Sequence, residues 1–123
     1  MNGVIINLAS AMTREFIYTP KFDKEWRKLG LTDDNLRPLE LFLLDNPDTG
    51  VIMRGTGGIR KMRWVLPEKG KSSGVRVLYI DFIKVEKICM FDLFPKYEKE
   101  NLSQSERSTL RQIVKAIEEE FKK

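Results

Sequence analysis

Residues 60–80 read Arg60-Lys61-Met62-Arg63-Trp64-Val65-Leu66, then Pro67-Glu68-Lys69-Gly70-Lys71-Ser72-Ser73-Gly74, then Val75-Arg76-Val77-Leu78-Tyr79-Ile80. In the first segment Met62, Trp64 and Leu66 point one way and Lys61, Arg63 and Val65 the other, the two-residue period of a strand. The middle segment is a polar turn of the kind that joins two strands, and the third is the next strand. Ile88-Cys89-Met90-Phe91-Asp92-Leu93-Phe94 follows; nearly all apolar, it reads as a strand buried on both faces.

Outward from this core the period becomes helical. Towards the N-terminus, Glu15-Phe16-Ile17-Tyr18-Thr19 is a short strand closed by Pro20. Phe22, Trp26 and Leu29 then recur at helical spacing up to a glycine stop at Gly30. Thr32-Asp33-Asp34-Asn35 offers caps for a second helix running to about Asp45. Pro38 fits that helix only in its first turn, which places the cap at Asp34 or Asn35. Leu36, Leu39, Leu41, Phe42, Leu43 and Leu44 mark it as largely buried. Near the C-terminus, Ser103-Gln104-Ser105-Glu106 is a capping box, followed by the apolar stripe Leu110, Ile113, Val114, Ile117 and Phe121. The order β-α-α-β-β-β-α predicts an α+β domain, with helices packed on a twisted sheet. Residues 1–12 carry no charge and are expected to stand apart as an N-terminal extension, with Met12 as the natural start and one domain over residues 13–123.

The length of 123 residues is that of a single domain able to bury its own core. No apolar run reaches the roughly 18 residues of a membrane span, and a single cysteine, Cys89, excludes an internal disulfide. The expectation is a cytoplasmic protein that needs no membrane. The chain contains no histidine. Ser-His-Asp and Cys-His nucleophilic catalysis, histidine-ligated metals and a histidine general base are thereby removed. Chemistry is left to Lys, Arg, Tyr, Asp or Glu, and no metal or cofactor is expected. The net charge of +4 is concentrated: residues 54–76 carry seven Lys/Arg against the single acid Glu68, whereas residues 1–53 carry six against eight acids. Such a local field attracts polyanions.

Alternation puts Lys61 and Arg63 on one strand face, and a return strand brings Arg76 beside them; Lys96 stands just past the buried strand. Cations gathered in this way can clamp a phosphodiester, and a lysine among them loses its proton more readily. A simple phosphate-binding surface and a catalytic one remain equally open on these residues. Gly55-Thr56-Gly57-Gly58 precedes a strand, not a helix, so it lacks the dipole of a nucleotide-binding loop. It reads as a tight bend. Gly70-Lys71-Ser72 lacks the upstream glycine of a phosphate-binding P-loop, Val65 standing in its place. Phe22 and Trp26 read as core, and Cys89 as inert packing.

Three segments together, Met53-Arg54-Gly55-Thr56-Gly57-Gly58-Ile59-Arg60-Lys61-Met62-Arg63, Gly70-Lys71-Ser72-Ser73-Gly74-Val75-Arg76-Val77-Leu78-Tyr79, and Lys96 with Glu98 before a capped final helix, resemble the RelE superfamily, most closely its HigB-like branch of bacterial type II toxins. Lys24-Glu25-Trp26-Arg27-Lys28-Leu29-Gly30 resembles the first-helix region of RelE. The resemblance runs from about residue 13 onwards. It implies a RelE/ParE-like fold: a twisted, mainly antiparallel sheet packed by two N-terminal helices and a C-terminal helix. It also implies a ribosome-dependent mRNA endoribonuclease that cuts the A-site codon by attack of the ribose 2′-hydroxyl on the adjacent phosphorus.

By resemblance, Lys61 and Arg63 are the cations near the scissile phosphate, with Lys61 a candidate base. Arg76 stabilises the phosphorane-like charge, and Lys96 supplies a proton or a phosphate contact. Arg54, Arg60, Lys69, Lys71 and Tyr97 are the expected RNA- and ribosome-contacting residues. Phe94-Pro95-Lys96-Tyr97 stands where HigB-like relatives often show Tyr-Gly-Lys. Phe94 has no proton to give, so the general acid stays open, with Tyr97 and Tyr79 as substitutes. The implied partners are mRNA, ribosomal RNA and a cognate antitoxin carrying a helix-turn-helix, with DNA bound only through the toxin–antitoxin complex. Two alternatives accompany this reading: a ParE-like, non-nuclease inhibitor of DNA gyrase, and an inactive relative that only binds its antitoxin.

Overall fold

The computed structural model describes residues 2–7, 12–66, 74–95 and 101–123. Its centre is the strand β6 (Lys87–Pro95), buried along nearly its whole length. Phe91 is an extra residue there: Leu78 of β5 (Gly74–Phe82) faces Asp92 while Tyr79 faces Met90. This bulge turns Phe91 and Asp92 to the same side and reverses the alternation beyond it. Ile88, Met90 and Leu93 therefore enter one core, and Cys89, Phe91 and Phe94 the other.

On one side β6 pairs antiparallel with β5, which pairs with β4 (Arg60–Val65), which pairs with the two-residue β3 (Val51–Ile52). On its other side β6 runs parallel to β2 (Met12–Tyr18), and β2 pairs antiparallel with β1 (Asn2–Asn7). The sheet is thus six-stranded and mainly antiparallel. The segment expected to stand apart, residues 1–12, instead supplies β1 and the first residue of β2. Its run of uncharged residues was too short for periodicity to mark it as a strand, and a neighbouring strand satisfies its backbone. The two-residue β3 was not foreseen for the same reason.

Helices α1 (Pro20–Lys28) and α2 (Asp33–Asp45) cover the core that contains Phe16, Met62, Val77, Tyr79 and Met90. Thr19 caps α1, accepting from the Phe22 amide at 3.1 Å and donating to the Phe91 carbonyl at 2.7 Å, which ties the helix start to β6. Phe22 and Trp26 stack at 5.7 Å inside this core, and Gly30, at φ 76°, ends the helix.

The cap of α2 is Thr32, not Asp34 or Asn35; Asn35 Oδ1 accepts from its amide and hydroxyl at 2.8 and 3.0 Å. The helix therefore begins earlier than expected, and Pro38 sits inside it rather than in its first turn. Leu36, Leu39, Leu43 and Leu44 are buried as expected, but Leu41 and Phe42 are exposed because they flank the buried arc. Helix α3 (Gln104–Phe121), capped by Ser103, covers the opposite sheet face through Val114, Leu110 and Ile117. Ile113, although in the stripe, stays open at 40% exposure. No helix among the described residues is long and apolar enough to cross a membrane.

Candidate phosphate-binding site

The β4–β5 register fixes the cations. Arg63 lies directly opposite Arg76, and Lys61 opposite Leu78. Met62 and Val77 face the α1/α2 core, so Lys61, Arg63 and Arg76 share the other face. Because β3 pairs only with Arg60 and Lys61, the edge of β4 beyond them carries no strand among the described residues. A cavity of about 410 Å³ opens at that edge, lined by Lys61, Arg63 and Arg76 with Phe42, Thr49, Val51 and Met62. Among the described residues no carboxylate lines it. Like charges directly opposite on neighbouring strands repel, and such a pair is a candidate site for an anion.

The other expected cations do not join this group. Arg60 has the parity of Met62 and lies on the face covered by α1 and α2, where its Nη1 donates to the carbonyls of Asp48 and Gly50 at 3.2 and 2.7 Å. These bonds anchor the loop, and strand alternation alone already separates Arg60 from Lys61. Arg54 is exposed in the glycine turn, its carbonyl accepting from Arg107 Nη1 of α3 at 2.8 Å; it does not line the cavity. Lys69, Lys71, Lys96 and Tyr97 lie outside the described residues.

The bend expected at Gly55-Thr56-Gly57-Gly58 is present, held to the protein at the buried Thr56 while Gly55 and Gly57 are exposed. Three of its glycines have positive φ. Thr56 is fully buried and closes the turn, donating to the Met53 carbonyl at 2.7 Å and accepting from the Ile59 amide at 3.1 Å. A side chain at Gly57 would touch Val114 and Arg111 of α3 at 3.4–3.5 Å.

Tyr79, one of the substitute acids, is buried with its hydroxyl committed: it donates to the Pro47 carbonyl at 2.8 Å and accepts from the Gly50 amide at 3.0 Å. Burial pushes the phenol further up. It holds the same loop as Arg60 and donates no proton at the cavity. Phe94 faces Arg76 across β5 and β6.

Other buried polar groups were not legible in the sequence. Tyr18 donates to the carboxyl of Glu40 inside the core. Burial raises Glu40 above the ordinary carboxyl value, and burial together with the Glu40 contact raises the Tyr18 phenol. Arg14 and Asp81 form a buried ion pair at 2.8 Å across the sheet. The Cys89 thiol, buried among apolar side chains, is pushed up to about 12 and is inert, as expected. Among the described residues no group of three or more Cys, Asp or Glu is placed to hold a metal ion.

No family model matches the chain. The solved structure of a mutant of the E. coli toxin RelE in the free state is similar at TM-score 0.48 and 19% identity, over 68% of this chain and 84% of that one.

Proposed function

We propose that the protein is the toxin of a type II toxin–antitoxin pair, an endoribonuclease that cuts messenger RNA in the ribosomal A site. The observation that carries this reading is the in-register opposition of Arg63 and Arg76, with Lys61 lining the same cavity. In the proposed reaction the ribose 2′-oxygen attacks the adjacent phosphorus and the bond to the 5′-oxygen breaks, leaving a 2′,3′-cyclic phosphate. Lys61 takes the 2′-hydroxyl proton. Arg63 and Arg76 bind the non-bridging oxygens, where negative charge grows in the transition state, and preorganised cations there are a large catalytic term. Lys96 is proposed to complete the set, as a phosphate contact or the donor of a proton to the departing oxygen.

The motif resemblance noted above and the absence of histidine agree with this Lys/Arg chemistry. A cytoplasmic location, a helix-turn-helix antitoxin and DNA binding through the complex belong to the same proposal. Expression of wild type and Arg76→Ala, with mapping of mRNA 5′ ends, tests it. New ends within translated codons, lost in the variant, are expected. Growth arrest without new ends but with altered DNA supercoiling would assign the protein to the gyrase-inhibiting class, and no arrest would leave only antitoxin binding.

A further inference from the structure

We propose that Phe42 is a stacking platform for one nucleobase, set beside the phosphate that Lys61, Arg63 and Arg76 hold. The inference rests on the nuclease reading and adds a base-binding subsite to it.

The ring belongs to α2, on the far layer from the cations, yet it lines the same cavity, which wraps round the open edge of β4. Phe42 is 37% exposed in a helix whose other core-side leucines are buried. Its ring is supported from behind by Trp64, at 5.5 Å and 48°. A tilted aromatic pair of this kind is favourable in itself, so the outer ring is held in place while one side remains open. Rigid aromatic faces beside backbone-tracking cations are the combination that binds single-stranded nucleic acid. The cavity volume of about 410 Å³ lies in the range of small-ligand clefts. Thr49 adds a hydroxyl to the lining. The carboxylates of an acidic peptide would satisfy the cations but would not cover the apolar ring; a base and its own phosphate satisfy both.

A 2′-O-methylated RNA hexamer cannot be cleaved by 2′-oxygen attack and serves as the probe. Its affinity is measured at low ionic strength, intact and with single abasic sites placed in turn along it. Wild type is expected to lose affinity about 5- to 150-fold when the stacked base is missing. Phe42→Leu, which keeps an apolar cover over Trp64, is expected to melt like wild type, to bind the intact hexamer that much more weakly, and to ignore the abasic site. Phe42→Trp is expected to restore binding.

If Phe42→Leu binds the intact hexamer as wild type does, or keeps the full abasic penalty, the stacking proposal is overturned. If Arg63→Gln at the same time weakens binding, the phosphate site survives alone. If wild type binds no hexamer but binds an acidic peptide through Phe42, both the base subsite and the nuclease reading fall.

Discussion

Arg63→Gln should make the protein more stable while disabling it. The register places the Cα atoms of Arg63 and Arg76 opposite one another, about 5 Å apart in an antiparallel pair. With side chains splayed to roughly 7 Å in a water-like medium, two unit charges repel by about 0.6 kcal/mol, within the 0.2–1 kcal/mol range of cross-strand pairs. Arg63 is exposed, so little packing is lost with its stem. The expected gain is about 0.5 kcal/mol, or roughly 1–4 °C in Tm for a chain of this size. A double-mutant cycle with Arg76→Gln should return a repulsive coupling of that size at low salt. The coupling should largely vanish at 1 M salt, where the screening length is about 3 Å. Cleavage on translating ribosomes should meanwhile fall about 10²- to 10³-fold, the loss typical of one charge-stabilising group. Denaturant titrations at both salts and a cleavage assay read these quantities. An attractive coupling, or a destabilisation that salt leaves unchanged, would refute the claim that the two arginines repel each other across the strand pair.

Glu40→Gln keeps an acceptor for the Tyr18 hydroxyl but removes a carboxyl whose value burial has raised. A group raised on folding contributes stability that is present below its unfolded value, here 4.5, and is lost as pH rises through the raised one. The variant should therefore be more stable than wild type at neutral pH, with the difference closing as pH falls to about 4.5 and below; thermal melts across that range check it. Thr56→Val leaves the Met53 carbonyl and Ile59 amide without their buried partner and should cost about 1–3 kcal/mol in chemical denaturation. Arg60→Gln should lower stability while leaving the salt slope of RNA binding unchanged, because its guanidinium is bound to Asp48 and Gly50. Arg63→Gln should reduce that slope by about one.

Much of this was legible in local pattern. The two-sided burial of β6, the caps at Ser103 and the glycine after α1, and the shared face of Lys61 and Arg63 all follow from periods of 2 and 3.6 residues and from capping chemistry. Those signals act over a few residues, and a single chain displays them. Even the separation of Arg60 from Lys61 was available from parity, though the density of charge obscured it. The cap of α2 was not legible: Pro38 argues locally for a later start, and the burial of Leu36 and Leu39 against the sheet, a tertiary contact, holds the proline inside the helix.

Long-range pairing has no such signature. That β2 lies parallel to β6, some seventy residues away, that residues 2–7 add a strand beyond it, and that Tyr18 meets Glu40 and Arg14 meets Asp81 depend on how layers close on each other. The same holds for Phe42. Its helical position identified an apolar residue, but only the docking of α2 beside the open edge of β4 set its ring in the wall of a cavity of cations. Chain order and residue type thus determined the elements and the charges they carry. Tertiary packing alone decided which of those charges meet and what stands beside them, because contacts between distant segments are chosen by burial of the whole core rather than by any stretch of it.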